Sequence, residues 1–347
     1  FFFKQKTAYE IYQCDWSSDV CSSDLLDVRA RRYRFRILNA SVARYYKLAI
    51  VREVAGNGGS IKGPSGSNIS YEPVAFHMIG NDGNIMEHSV AFDGSLGTEK
   101  GILPYHAIAE RYDIVVDFAK NGIAPGDKLY LINTLEHTTG KLPNRPISLQ
   151  RILDGTYKPV ADASGAWKGG DPGVGMILRF DVKPCVANGQ AVACADPSMD
   201  PARYVENNHY GLGGTALKMM QRVPITAADI ASAKHHTYEF VRGGSGGGGT
   251  DKKPWAVKVD GGSAFNAETD RVSAATSLAE LDANGKPKFQ VWHISNTSGG
   301  WSHPVHVHFE EGQILSRGGQ PPPIWEKWAR KDMYRDRKST RLNSSHT

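Results

Sequence analysis

The stretch Trp301-Ser302-His303-Pro304-Val305-His306-Val307-His308 places three imidazoles within six positions. Neutral imidazole is a ligand for copper, zinc and iron alike. In an extended strand, side chains two apart share a face. His306 and His308 are therefore expected to point the same way and to serve one metal cluster. His303 stands at odd spacing from both and is expected on the opposite face, with Pro304 biasing it toward an extended or turn geometry. One short segment can thus feed two separate metal sites, which is what electron transfer between metals needs. A single buried histidine is usually a hydrogen-bonded core residue. Three in the pattern His-Pro-x-His-x-His, among β-formers, are hard to explain by packing.

The remaining histidines invite plainer readings. His77 and His293 lie on apolar strand patterns and are expected in the core or behind a ligand. His235 and His236 stand at a helix-to-strand junction and are expected to be solvated. Glu110-Arg111 reads as an ion pair or turn brace. Glu310 and Glu311 follow the histidine segment and either orient its imidazoles or sit at a strand end. Trp301, Trp325 and Trp328 are expected to pack. The glycine run 243–249 lacks a Gly-Lys-Ser/Thr ending and a following helix, so it is read as a hairpin tip and not a phosphate loop.

The elements that must position these residues are strands. Gly 37 and Pro 18, short apolar alternations and few helical periods indicate mainly β structure. Tyr33, Phe35 and Ile37 alternate with Arg32, Arg34 and Arg36, the pattern of a half-buried strand. Tyr46, Leu48 and Ile50 repeat it. Further strands are expected at 74–80, closed by the hairpin-type turn Asn81-Asp82-Gly83, and at 109–118, 128–133 and 176–182. Pro184, Pro197 and Pro201 mark a connector over 184–225, followed by a short capped helix at 226–231. A second β unit begins at 237–241 and continues through 255–259 and 289–294 into the histidine segment. No apolar run reaches membrane-spanning length.

Both ends read as translated adapter. Residues 336–346 can be encoded by one DNA string whose reverse complement, read one frame over, encodes Asp15 to Asp24. Termini encoded by complementary strands of one string are not a protein feature; the string resembles a sequencing-library adapter. Residues 1–25 and 336–347 are therefore set aside. Their charges cancel: two lysines against four acids at one end, three bases against one acid at the other. The net charge of +5 belongs to the segment between. It is mild and has no long basic run, so nucleic acid is not an expected partner. Of the four cysteines, Cys14 and Cys21 fall in the adapter. Cys185 and Cys194 bracket an Asn-Gly turn signal and suit a disulfide across a hairpin, as an oxidising compartment would allow.

With these residues in hand, the segment from Leu26 to Arg335 resembles the multicopper oxidases, in particular the bacterial laccase, bilirubin oxidase and phenoxazinone synthase relatives. Residues 33–41 resemble the opening of the family's middle domain. Residues 76–83 and 109–113 resemble later signatures of it. Trp301 to His308 resembles the first copper motif of the final domain. The resemblance implies an all-β fold of tandem cupredoxin-like Greek-key barrels or sandwiches: a middle domain at 26–183, a linker at 184–225 and a truncated C-terminal domain at 226–335. It implies His303 as a type 1 copper ligand, His306 as a type 2 ligand and His308 as a type 3 ligand. It implies copper as cofactor, dioxygen and a small reducing substrate as partners, and a periplasmic or extracellular location.

The family also needs paired histidine motifs before Leu26 and a His-Cys-His motif beyond Arg335. Lacking both, this polypeptide is expected to be inactive as an oxidase. Two rivals stand beside that reading. Gly300 and His306-Val307-His308 fit the opening of a cupin motif, but Glu311 follows too soon and His303-Pro304 goes unexplained. A non-enzymatic cupredoxin-like binding module would leave the histidines as packing. The reducing substrate and the oligomeric state are not legible.

Overall fold

A computed structural model describes residues 25–55, 61–62, 68–160, 170–206, 217–242, 255–263, 281–285, 288–297, 301–308, 311–335 and 342–346. The described chain divides into two compact units. One holds the residues up to Gly80 together with Ser89–Leu217; the other holds Asn81–His88 and the residues from Lys218 onward.

The first unit is built from β1 (Leu25–Arg29), β2 (Arg32–Leu38), β3 (Leu48–Ala55), β4 (Ile61–Lys62), β5 (Asn68–Pro73), β6 (Phe76–Asn81), β7 (Asn84–Phe92), β8 (Arg111–Asp117), β9 (Lys128–Asn133) and β10 (Leu135–Glu136), with Asn81 of β6 and Asn84–His88 of β7 counted in the second unit. β11 (Arg145–Pro146), β12 (Gly175–Lys183), β13 (Cys185–Ala187) and β14 (Gln190–Val192) complete it. One sheet runs β1-β12-β9-β3-β5-β4, the other β2-β8-β6-β7. Many hydrogen-bonded neighbours are not consecutive in the chain, as Greek-key sandwiches require. The two sheets face each other through Phe35 and Ile37 of β2, Ile114 of β8, and Ile50, Leu131, Leu178 and Phe180 opposite. These side chains enclose a void of only about 20 Å³. Phe35 and Phe118 each meet Phe180, at 5.4 and 5.6 Å between ring centroids.

The alternation read at 32–37 holds in the structure. Phe35 and Ile37 are buried, while Arg34 and Arg36 are exposed, and Arg34 Nε donates to Asp113 at 2.8 Å. The alternation expected at Tyr46, Leu48 and Ile50 does not. Leu48, Ala49, Ile50 and Val51 are all buried. β3 is covered on both faces: Ile50 faces the sandwich interior, while Val51 packs with Tyr130, Ile132 and the residues of a helix, α1 (Leu149–Leu153). Ser148 caps that helix, and Leu149, Ile152 and Leu153 fall on one face at helical spacing. The sequence reading passed over it.

The Asp82–Gly83 turn joining β6 and β7 has φ of 51° and 89°, the left-handed pair a two-residue hairpin favours. The segment read as a plain connector carries more structure than expected. β13 and β14 form a hairpin closed by a Cys185–Cys194 disulfide, and a 3₁₀ turn follows at Pro201–Tyr204.

The second unit begins with α2 (Ala227–Ser232), where Thr226 and Asp229 form a reciprocal capping box. Its strands are β15 (Lys234–Arg242), β16 (Trp255–Val259), β17 (Gln290–Asn296), β18 (Pro304–His306), β19 (Gly312–Arg317), β20 (Met333–Arg335) and β21 (Leu342–His346), with a short helix α3 (Ile324–Lys327). The sheet order is β16-β15-β17-β21-β19, and β18 pairs separately with β20. β21 lies in the adapter-like end. Ladder hydrogen bonds are made by backbone and select weakly for sequence, so its pairing says nothing of that segment's origin. The glycine run 243–249 lies outside the described residues.

Candidate metal centre

β18 is held by antiparallel pairing with β20, in register Pro304↔Arg335, Val305↔Tyr334 and His306↔Met333. Strand alternation then sorts the histidine segment. Val307 joins the buried cluster of Trp292, Ile294, Ile314 and Tyr334, with Val305 packed against it. His303 falls on that same side by period-two spacing, half-buried, its ring stacked on Phe240 at 5.8 Å. Burial lowers its pKa, so the imidazole is neutral near neutral pH and keeps a lone pair.

His306 and His308 take the other side. Their ring centroids are 4.8 Å apart, and both residues are exposed. His308 lies just past the strand, in a bend. His306 Nδ1 is 3.1 Å from the Asp332 carbonyl oxygen. That contact places the proton on Nδ1 and leaves the lone pair on Nε2. Buttressing one ring nitrogen so that the other can bind is how metal-ligating histidines are usually oriented.

A cleft of about 420 Å³ opens beside this segment, walled by Tyr238, Phe240, Trp292 and Ile294 and bordered by Val305 to His308. Among the described residues, no group of three or more His, Cys, Asp or Glu converges as a metal site. The structure thus brings His306 and His308 together and keeps His303 apart.

Several smaller expectations need correction. His236 is buried, not solvated. β15 starts at Lys234, three residues earlier than the sequence suggested, so alternation puts His236 on the inner face with Tyr238 and Phe240. Its Nδ1 is 2.8 Å from Asp260 Oδ2. His293 is not a core residue. It faces outward between the inward-facing Trp292 and Ile294, and its Nε2 is 2.9 Å from Nδ1 of the exposed His235. His77 is half-buried, and burial lowers its pKa.

Glu110 is a turn brace: its carboxylate accepts from the Ala107 amide at 2.9 Å, while Arg111 donates to the Ala109 carbonyl. Glu311 is engaged by Arg330 at 3.3 Å, and Glu310 lies outside the described residues. The group that orients His306 is the Asp332 carbonyl. No local signal marks it, because the pairing of two strands brings it across a sequence separation of 26. Trp328 packs as expected, edge-on to His88 at 4.7 Å.

No protein-family model matches the chain. A laccase from Bacillus subtilis (strain 168) is 34% identical over 110 residues, which are 31% of this chain and 15% of that protein. The chain resembles the multicopper oxidases. Three solved structures are similar to it at low identity. They are the McoA multicopper oxidase of the hyperthermophile Aquifex aeolicus (TM-score 0.49, 17% identity, 93% of this chain and 50% of that one), a multi-copper oxidase from Pediococcus acidilactici (0.48, 16%, 92% and 44%) and a multicopper oxidase from Campylobacter jejuni described as a metallo-oxidase (0.46, 13%, 90% and 47%). The chain spans about half the length of these structures. No helix among the described residues is long and apolar enough to cross a membrane.

Proposed function

We propose that this chain is a piece of a copper-dependent oxidase of the multicopper type, carrying a middle cupredoxin-like domain at 26–183, a linker at 184–225 and part of a C-terminal domain at 226–335. The observation that supports this most directly is the paired imidazoles of His306 and His308, with His306 Nε2 left available by the Asp332 carbonyl and His303 turned to the opposite side. His306 and His308 would hold type 2 and type 3 copper, and His303 type 1 copper.

The donor set fits copper, which accepts imidazole nitrogen readily. Held by His303, His306 and His308, copper would supply one-electron chemistry that couples oxidation of a phenolic, aromatic or metal-ion substrate to reduction of dioxygen to water. The chain's own residues orient the imidazoles, keep His303 neutral and would present two ligands from one short segment. The compartment is periplasmic or extracellular in this reading, consistent with the Cys185–Cys194 disulfide.

Type 1 copper needs a thiolate. Cys185 and Cys194 are bonded to each other, and the other two cysteines fall in the adapter-like end. The isolated chain is therefore expected to take up Cu²⁺ without developing an intense blue charge-transfer band, and to consume no oxygen. Cu²⁺ titration followed by NMR should broaden the ring signals of His306 and His308 together, and His306→Asn should weaken binding at His308 by about tenfold or more. Ring signals of both residues untouched by stoichiometric Cu²⁺ would remove the metal-ligand reading and leave the non-enzymatic module.

A further inference from the structure

A second pair of imidazoles stands on the outward face of the β15–β17 ladder. The two strands run parallel, with His235 opposite Val291 and Thr237 opposite His293. The histidines are thus diagonal neighbours on one face. Their rings are nearly parallel, 23° apart with centroids 5.2 Å from each other, and His235 Nδ1 lies 2.9 Å from His293 Nε2. The other nitrogen of His235 is already assigned: Nε2 lies 3.0 Å from the Ile230 carbonyl oxygen in the last turn of α2. Nε2 therefore carries the proton, Nδ1 carries the lone pair, and His293 Nε2–H donates to it.

We propose that His235 and His293 form a surface site for a divalent first-row transition ion of the class that favours tetragonal nitrogen ligation, Cu²⁺ foremost. The ion takes the place of the proton now shared between the two nitrogens. His293 moves that proton to its own Nδ1, and both lone pairs turn onto the metal. Water completes the shell.

Three features support this. The spacing suits adjacent positions around such an ion: two nitrogens each about 2.0–2.1 Å from a metal and at right angles lie about 2.9 Å apart, against about 3.3 Å in a tetrahedron. The Ile230 carbonyl holds one ligand in the required tautomer before any metal arrives. The site is at the surface, so an ion need not lose all its water to enter. Bound metal would tie β15 to β17 and raise the stability of the unit by mass action.

The proposal is independent of the copper reading for His306 and His308, and the test keeps them apart. In the full chain carrying His306→Asn and His308→Asn, calorimetric titration with CuCl₂ should still show one equivalent bound. Adding either His235→Asn or His293→Asn should weaken that equivalent at least tenfold. The electron paramagnetic resonance signal should show coupling to two nitrogens before the change and to at most one after it. His235 is exposed and His293 half-buried, and circular dichroism checks that each variant is folded. Thr237→Ala, on the same face, should leave binding unchanged. If both triple variants bind CuCl₂ as tightly as their double-variant parent, or if binding vanishes with His306 and His308 alone, the pair is only an imidazole–imidazole hydrogen bond and the proposal fails.

Discussion

In the first unit His106 stacks on Tyr112 with its Nε2 2.5 Å from the Glu110 carbonyl oxygen, and His137 accepts the Tyr45 amide on Nδ1 at 2.9 Å. In the second unit His306 faces His308 and His235 faces the half-buried His293, the other three being exposed. The same side chain is an interior bracket at His106, His137 and, in the second unit, His236, and lies exposed beside a second imidazole at His306 and His235. The cores differ in the same sense. The first unit closes around a void of about 20 Å³, while the apolar face of the second borders a cleft of about 420 Å³. What meets a histidine's second nitrogen therefore separates the bracketed imidazoles from the exposed ones.

The sharpest way to break this contrast is to delete matching aromatic side chains. Phe180 is 2% exposed and meets two other phenylalanines, so Phe180→Ala should destabilise the first unit by about 3–5 kcal/mol. Trp292 is the larger side chain, but it lines the cleft, and water can enter the space it vacates. Trp292→Ala should therefore be milder by about 1 kcal/mol or more, read from urea unfolding followed by fluorescence and by amide exchange in each unit. Equal losses would mean that the second core is as closed as the first.

The second unit is not loose throughout. Glu326 has a fully buried side chain and receives Arg317 through two contacts of 2.8 Å and Arg335 at 3.1 Å. Burial works to raise its pKa, but Arg317, Arg335 and Lys331 outweigh it and hold the carboxyl below its ordinary value. Glu326→Ala would strand two arginines and should cost about 3–5 kcal/mol. A loss under about 1 kcal/mol in the same unfolding experiment would show that these arginines reach solvent in the native state.

The sequence carried the strands of the first unit well where one face is wet, as at Arg32–Leu38, because charge alternates with apolar bulk there. It failed at Leu48–Val51, where α1 covers the second face and alternation disappears. In the second unit the motif His303–His308 was visible, and period-two spacing anticipated the pairing of His306 with His308, whose ring centroids lie 4.8 Å apart. Asp332 was invisible, since only the β18–β20 pairing brings it under His306. The pair His235–His293 was missed for a related reason. A strand start misplaced by three residues turned an alternating stretch, with His235 outward and His236 inward, into a supposed solvated junction. Whether 303–308 serves a metal cannot be read from spacing alone, because spacing fixes a shared face and not what fills the space beyond it.

Acidification sharpens the contrast from the side of the first unit. Burial, reinforced by Arg44 and opposed by Asp171, lowers the His137 pKa from 6.5 to about 4. Between those values the unfolded chain binds more protons than the native one, so the stability from this residue is complete above about pH 6.5 and is lost as pH falls toward about 4. The unfolding midpoint followed at the first unit should drop across that window, and His137→Asn should flatten the slope. A midpoint that rises on acidification would reverse the assignment of His137 as a neutral bracket.

The smallest effects expected come from the two helix starts. Thr226 Oγ1 accepts the Asp229 amide at 3.1 Å, and Asp229 Oδ2 accepts the Thr226 amide at 2.8 Å. Two orphan amides are satisfied at once, so Thr226→Ala should cost about 1 kcal/mol, registered in the second unit. Ser148 Oγ accepts the Arg151 amide at 3.4 Å, and an arginine at that position cannot return a bond to the cap. Ser148→Ala should cost about 0.5 kcal/mol and register in the first unit. Because α2 also supplies the Ile230 carbonyl that orients His235, loosening its cap should weaken Cu²⁺ uptake at His235 and His293, whereas Ser148→Ala should not. Equal copper affinity in the two cap variants would mean that the tautomer of His235 is set without help from the helix.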